Sequence, residues 1–410
     1  MSPLRITFLS TSSLDYPSPR GRWLPLAHEL ARQGCSVNLL LLHHTYDRLP
    51  PPQRHQQHNG YTVSYVSQMH VYGPVGQRRY FRAGRLLAVS LTGAYALARA
   101  ALRQGCDVLH VCKPQPINGL AGLIAARILS CPLYVDCDDY EAGGNRFGAA
   151  WQQHVVRLWE DRLPRYAAGI TVNTRFLQQR YETLGIPPTR MVYVPNGIAA
   201  ERLRPPDPRH VAGLQRALSI GNEPVVLYVG TLSQTTHNVG LLLEAFGLAL
   251  PAIPTARLVL VGDGEDRTSL YQRAQHPDVR GRVLFAGAVA YQTVPVFFGL
   301  ATCSVDPVVD DAVARARSPL KIVESLAAGV PVVTGNVGDR AETLAHGAAG
   351  VLVEPGSAAA LAQGLIAALT APDEQRAAWV RGAREQAERH TWPLLAARWK
   401  TIYNEPTISR

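Results

Sequence analysis

An α/β chain built from two doubly wound parallel sheets is the fold class this sequence predicts, and three observations predict it. Apolar runs of strand length alternate with longer helical patterns in both halves of the chain. A proline-rich polar stretch, residues 199–224 with RLRPPDP near its start, separates the two periodic blocks. With 410 residues, 47% of them apolar, the chain can build two cores of roughly 200 residues each.

Taken in order, the first half is expected to form strands near Arg5–Ser10, Val37–Leu42, Thr62–Ser67, Val108–Cys112, Leu133–Asp136, Gly169–Asn173 and Val192–Val194. Each is a short apolar run followed by turn residues or a helical period, the pattern of βαβ units. The second half repeats it near Val225–Gly230, Arg257–Val261, Val283–Ala286, Cys303–Val305, Val330–Thr334 and Gly350–Val353. The run Pro50–Pro52 and the His- and Gln-rich residues after it have no apolar period, so a loop is expected there. No short internal repeat occurs.

Charge is distributed unevenly. Residues 1–200 hold 21 Lys and Arg against 11 Asp and Glu, whereas residues 201–410 hold 20 of each, so the whole net charge of +10 belongs to the first half. Between Asp47 and Asp107 there is no acid, while Arg48, Arg54, Arg78, Arg79, Arg82, Arg85, Arg99 and Arg103 occur, a bias toward anionic partners. No interleaved aromatic pattern or nucleic-acid module accompanies it, so no nucleic-acid partner is expected. No unbroken run of eighteen apolar residues occurs and the chain opens directly into a strand; the expectation is a soluble, cytoplasmic protein. Six cysteines form no C-x-x-C pair and read as small core residues. His43 and His44 are the one close histidine pair, and no H-E-x-x-H motif supports zinc.

The most informative stretch is Ala316–Gly335, ARSPLKIVESLAAGVPVVTG. It reads as an apolar helix with Lys321 and Glu324 one turn apart at its mouth, then a turn into a buried strand. An ammonium can neutralise phosphate while a carboxylate accepts sugar hydroxyls, so the segment reads as half of a nucleotide-sugar site. Two earlier loops in the same half, Gly230-Thr231-Leu232-Ser233 and Gly262-Asp263-Gly264-Glu265, follow predicted strands. Their glycines and the helix N-termini would suit a diphosphate. Neither G-x-G-x-x-G nor a P-loop motif occurs in strand context, against dehydrogenases and P-loop enzymes.

These residues carry a resemblance. AHELARQGCSVNLLLL, DVLHVCKPQP, PLYVDCDDYEAGGN, the Val194-Pro195-Asn196-Gly197 segment, VVLYVGTLS, HNVGLLLEAF, RLVLVGDGED, SPLKIVESLAAGVPVVTG and GAAGVLVEPG follow one another in order over nearly the whole chain. Together the chain resembles a GT-B glycosyltransferase of the large retaining family 4, also called glycosyl transferases group 1. The resemblance implies two facing Rossmann-like domains, with an acceptor domain over 1–205, a donor domain over 206–390 and a closing helix, 391–410, that crosses back to the first.

It also implies roles. The donor would be a UDP- or GDP-linked sugar held by Gly230, Thr231, His237, Gly262, Asp263, Gly264, Ser318, Pro319, Leu320, Lys321 and Glu324, with Glu324 on the ribose. Three positions depart from the family pattern: Thr231 stands where many relatives have arginine, His237 where many have lysine, and Ala316 where a first glutamate is common. Each lost cation removes a charge-assisted hydrogen bond of about 1.5–3 kcal/mol, so Lys321 is expected to substitute. Asp138 and Asp139, with Lys321, are the catalytic candidates, the two acids contacting the transferred sugar or stabilising positive charge at the anomeric carbon. Asp136, Asp138, Asp139 and Glu141 could alternatively hold a metal, but the family needs no cofactor or protein-bound metal.

Arg20, Gly21, Lys113 and Asn196 fall on the acceptor side. The expected reaction moves a sugar to a hydroxyl of a glycan or lipid-linked acceptor with retention. Arg78, Arg82 and Arg85 beside Tyr80, Phe81, Leu86 and Leu87 suggest that residues 76–104 rest peripherally on anionic lipid at the inner membrane face; a solvated arginine face is the other reading. A nucleotide-sugar 2-epimerase-like enzyme and a non-catalytic nucleotide-sugar-binding protein remain as alternative functions.

Overall fold

The computed structural model describes residues 2–16, 18–73, 79–145 and 147–404. The chain forms two compact units: Met1–Gly197 with Trp392–Arg410, and Ile198–Thr391. The first boundary falls earlier than the 205/206 division expected from the proline-rich stretch. Ile198 is already packed among Ile322, Val323 and Leu326, and its amide donates to His390 O at 2.8 Å, so the second unit starts there.

Strands of the first unit are β1 (Arg5–Ser10), β2 (Ser36–His43), β3 (His55–Gln57), β4 (Tyr61–Gln68), β5 (Val71–Tyr72), β6 (Arg79–Tyr80), β7 (Val108–Cys112), β8 (Leu133–Cys137), β9 (Gly169–Val172) and β10 (Met191–Tyr193). Eight of them make one sheet in the order β10-β9-β8-β7-β1-β2-β4-β3, parallel throughout except for β3 at its edge. The fully buried pattern of β7, β8 and β9 explains their mainly apolar sequences, since helices cover both faces, and His110, Asp136 and Thr171 are buried polar exceptions. Trp392, Leu395 and Trp399 of the closing helix Trp392–Lys400 pack with Phe8, Trp23 and Leu26. Trp399 Nε1 donates to Tyr403 Oη at 2.7 Å, and that hydroxyl lies 2.9 Å from buried His110 Nδ1.

Two expectations need correction. Residues 51–57, read as a loop, hold a helical turn, Pro51–Arg54, and then β3, which pairs antiparallel with β4. An edge strand has one open side and needs no apolar alternation. Residues 79–80 pair with 71–72 in a separate hairpin, and the helix that follows begins only at Ala83. Tyr80 and Phe81 therefore precede that helix; Arg78 lies outside the described residues.

Within the helix Ala83–Gln104, residues Gly84–Gln104 are long and apolar enough to cross a membrane by length and composition, and 28% of their 18-residue apolar stretch is buried. Its packing makes it a layer helix instead. Ala94, Leu97, Ala98 and Ala101 are buried, and a Cβ on Gly93 would come within 3.2 Å of Leu42 Cδ1 on β2.

The second unit holds β11 (Val225–Val229), β12 (Arg257–Val261), β13 (Val283–Gly287), β14 (Cys303–Asp306), β15 (Val332–Gly335) and β16 (Gly350–Val353). They form an all-parallel sheet in the order β13-β12-β11-β14-β15-β16. Its core joins Val226, Leu258, Leu260 and Val305 to Leu242, Phe246, Leu361 and Leu365 of the flanking helices. Strand order reverses between β1 and β7 in the first sheet and between β11 and β14 in the second. Loops leaving the carboxyl ends diverge at such points, which is where open α/β sheets hold ligands.

Candidate functional site

At the switch point of the second unit, β14 ends in buried Asp306. Its carboxylate meets two cations, Lys321 Nζ at 3.1 Å and Arg340 Nε at 2.9 Å. Lys321 reaches there from the first turn of the helix Leu320–Ala327, and its ammonium also lies 4.5 Å from the centre of the Tyr228 ring. Burial opposes these charges, but pairing prevails. Lys321 and Arg340 hold the Asp306 carboxyl well below the carboxylate range, while Tyr228 and Asp306 hold the lysine above its usual value. One carboxylate between two cations leaves a net positive charge. Arg317, partly exposed beside them, donates to Thr236 O.

Lys321 is thus no free-standing ammonium, as the sequence suggested, but the outer member of an ion-paired trio. Glu324 shares the accessible side of the same helix yet has other neighbours: burial raises its carboxyl to about 7, opposed by Arg202 and by a hydrogen bond with Tyr291. Arg202 is fixed by stacking at 4.0 Å on Tyr291 and by a 2.8 Å hydrogen bond to that residue's carbonyl. His237 is held neutral, since burial and the charges of Lys321 and Arg317 push it down to about 3. It can serve a diphosphate as a neutral donor, not as a replacement for a lysine.

The glycine loops also act differently from expectation. A Cβ on Gly262 would sit 1.9 Å from Gly230 O, and one on Gly264 2.3 Å from Leu232 O, so these glycines let two loops pack back to back. Their amides are already used: Gly230 N donates to Val261 O, Gly262 N to Gly287 O, and Gly264 N to Asp263 Oδ1 at 2.8 Å. Thr231 is exposed and its carbonyl accepts from Tyr228 Oη at 2.7 Å. Ser318, Pro319 and Leu320 lead into a helix N-terminus whose N-cap residue, Pro319, makes no side-chain cap hydrogen bond. That terminus, with the trio and Arg317, provides the positive potential.

In the first unit, Lys113 follows β7 in a left-handed conformation, φ 69°. Its Nζ donates to Asp139 Oδ2 at 2.6 Å and Glu141 Oε1 at 2.7 Å, and lies 3.4 Å from Asp138 Oδ1. The ammonium fills the space among the three carboxylates, where a metal ion was the competing sequence reading. Burial opposes its charge, but the three acids hold it well above its ordinary value. The Asp138 carboxyl is raised by burial and by Asp139 and Asp136, against Lys113, and its Oδ1 has no hydrogen-bond partner among the described residues. Glu160 supports this loop by accepting the amides of Glu141 and Ala142 at 2.8 and 3.1 Å.

Asp136 stands apart from that cluster. It forms a buried pair with Arg22, two hydrogen bonds of 2.8 Å, and accepts from Trp23 Nε1 and Thr171 Oγ1. Arg22 also donates to Val194 O at 3.0 Å and Asn196 Oδ1 at 3.1 Å. Asn196 is therefore engaged by the arginine that anchors the end of the first unit. Gly21 is buried in the π-helical turn Pro19–Trp23, and exposed Arg20 donates to Leu14 O at 2.9 Å.

Asp15, His43 and His44 gather at the ends of β1 and β2, Asp15 Oδ2 lying 3.1 Å from His43 Nε2 and 3.6 Å from His44 Nδ1. Thr45 N lies 3.1 Å and Thr45 Oγ1 3.2 Å from His43 Nδ1, so both ring nitrogens of His43 have partners.

Sequence reasoning missed Arg22, Arg202, Asp306, Arg317 and Arg340. Asp306 was legible as the lone charge ending an apolar strand, SVDP, and Arg317 lies within the motif already singled out. The arginines at 22, 202 and 340 look like many others in an arginine-rich chain.

Two doubly wound α/β units in one chain are the architecture of the GT-B class of glycosyltransferases. Solved structures of that class match the whole chain: sucrose-phosphate synthase from Thermosynechococcus elongatus with a TM-score of 0.76 at 18% identity over 98% of both chains, and Anabaena HepE in complex with UDP and glucose with 0.75 at 19%, over 98% of this chain and 100% of that one. The "Glycosyl transferases group 1" family matches residues 214–386 and the "Glycosyl transferase 4-like domain" residues 20–197; the chain belongs to the group 1 glycosyltransferases of the family 4 type. Among curated relatives, a GDP-mannose-dependent alpha-(1-6)-phosphatidylinositol monomannoside mannosyltransferase of Mycobacterium tuberculosis is 29% identical over 56% of this chain and 60% of its own length. A phosphatidyl-myo-inositol mannosyltransferase of Mycobacterium leprae is 26% identical over 74% of both.

Proposed function

We propose that this protein transfers a hexosyl group from a nucleoside diphosphate sugar to a hydroxyl of a lipid-linked or glycan acceptor, with retention of anomeric configuration. The observation that carries this reading is the net positive trio Asp306–Lys321–Arg340 beside Glu324. A departing diphosphate gains negative charge as the glycosidic bond breaks, and Lys321, Arg317 and the helix N-terminus offset it, with His237 as a neutral donor. Glu324 accepts the ribose hydroxyls. Asp138 and Asp139 suit the sugar: an excess of carboxylate favours positive charge at the anomeric carbon, and the buried Asp138 Oδ1 still lacks a hydrogen-bond donor among the described residues. The leaving phosphate itself deprotonates the acceptor, so no protein metal and no dedicated base enters.

The activities of the mycobacterial relatives favour GDP-mannose and a glycolipid acceptor. Such an acceptor lies in a membrane, and the helix Ala83–Gln104 offers a surface for it. Leu87, Leu91 and Tyr95, 62%, 55% and 67% exposed, line its outer side, and exposed Arg79, Tyr80, Arg82 and Arg85 gather at its start. An apolar ridge fringed by guanidinium groups matches anionic lipid at the inner membrane face.

Incubation with GDP-, UDP-, ADP- and TDP-sugars tests the reading. One nucleotide is expected to raise the melting temperature above the others and its sugar to release nucleoside diphosphate slowly, faster with a lipid acceptor. Epimerised sugar, or binding without turnover, replaces the proposal with the corresponding alternative.

A further inference from the structure

All six cysteines are thiols, and five are buried; Cys131 alone is partly exposed. Among the described residues one pair is in contact, Cys106 and Cys131, with Sγ atoms 3.9 Å apart. Cys106 precedes β7 and Cys131 precedes β8. These strands are parallel neighbours, with Leu109 opposite Leu133 and Leu109 N donating to Pro132 O at 3.1 Å. Their feet therefore lie side by side at the amino edge of the sheet, opposite the end that carries Lys113 and Asp138. Neighbouring strands run about 4.8 Å apart, within the reach of a disulfide. A bonded pair needs an Sγ separation of about 2.05 Å, so side-chain rotation has to close roughly 2 Å.

We propose that Cys106 and Cys131 form a reversible disulfide, made by exchange with a low-molecular-mass disulfide such as oxidised glutathione. Cys131, the exposed member, loses its proton and attacks one glutathione sulfur, forming a mixed disulfide and releasing one glutathione thiolate. Cys106 then loses its proton and attacks Cys131 Sγ, forming the protein disulfide and releasing the second. The two protons pass to the two glutathione thiolates: two protein thiols are oxidised, and one glutathione disulfide is reduced. Geometry assigns the order, since Cys106 is 7% exposed and out of reach of an external disulfide. The contact from Cys106 also holds the Cys131 thiol below its ordinary value, as its largest influence, with burial and Asp107 opposing. The contact with Cys131 and burial hold the Cys106 thiol above its ordinary value, and Arg5, paired with Asp107 at 2.7 Å, opposes them only weakly. Cys35, Cys112, Cys137 and Cys303 are buried in the cores and serve as internal controls.

The bond would enclose residues 107–130, which include β7, Lys113 and the helix Pro116–Leu129. Cross-linking restricts the unfolded chain most when the enclosed loop is long. The inference does not depend on the transferase reading, because no donor or acceptor contact is involved.

The test is to incubate the full chain with oxidised glutathione under native conditions, alkylate the remaining thiols and map the peptides by mass. The expected product has lost two hydrogen atoms, carries four alkylated cysteines instead of six, joins the peptides of residues 106 and 131, and melts a few degrees higher until dithiothreitol is added. Cys106→Ser is expected to stop at glutathione on Cys131, and Cys131→Ser to stay unmodified; Cys106→Ala replaces the first variant if serine prevents folding. Six alkylatable thiols in the treated wild type, a persistent glutathione adduct on it, or a bridge between other cysteines overturns the proposal.

Discussion

In the first unit one ammonium, Lys113, lies among three carboxylates, whereas in the second one carboxylate, Asp306, lies between two cations. Both cradles sit where strand order reverses and both are largely buried, so each must compensate charges that would be costly alone. They differ in the sign left over. A negative remainder suits sugar hydroxyls and a cationic anomeric centre; a positive one suits a diphosphate. The same fold thus receives opposite charge from the residue types at its strand ends.

The strongest way to break this comparison is Lys113→Met. It leaves three crowded carboxylates without their cation and is expected to cost about 3–5 kcal/mol of stability, read by denaturant unfolding. An unchanged midpoint would mean that the acids are solvated and not held by the lysine. Lys321→Met is the counterpart in the second unit. Asp306 keeps Arg340, so folding should suffer less, while nucleoside diphosphate affinity falls by about 1.5–3 kcal/mol, tenfold or more, by calorimetry. Equal affinity in wild type and variant would remove the positive cradle as the anion site.

Acidity sharpens the contrast further. Glu324 titrates at about 7 in the free protein because burial disfavours its charged form. A carboxylate accepting ribose hydroxyls is favoured in its ionised form, so binding should release a proton when the pH is below that value. Affinity is then lowest at acid pH, rises through 7 and levels above it, by about tenfold between pH 6 and 8. Glu324→Gln should flatten the curve, and a flat wild-type profile would place the ribose elsewhere. The smallest effect is expected at His237, which is already neutral: His237→Gln keeps a donor and should change affinity by less than about threefold. A large loss would show that a charged imidazole acts there after all.

Much of the second unit was legible in the chain. ARSPLKIVESLAAGVPVVTG predicts a helix between a loop and a buried strand, and the helix Leu320–Ala327 and β15 occupy those places. Residues 55–57 were illegible because an edge strand carries no apolar alternation. The glycines of 230, 262 and 264 signalled a close approach correctly, but not to what; their neighbour is the facing loop. The helix Ala83–Gln104 was misplaced at its start because Arg79 and Tyr80 belong to a hairpin with partners seven and nine residues earlier.

The sequence alone determined the alternating α/β pattern, the two units and the residue types at the strand ends, because apolar period and turn chemistry are local properties of the chain. Tertiary structure alone decided which charges meet. Asp306, Lys321 and Arg340 are separated by many residues and converge only when β14, the following helix and the segment after β15 pack together. Lys113 finds Asp139 and Glu141 only because β7 and β8 are neighbours in the sheet. Electrostatic partners are set by distance in space, and no local rule of sequence encodes that distance.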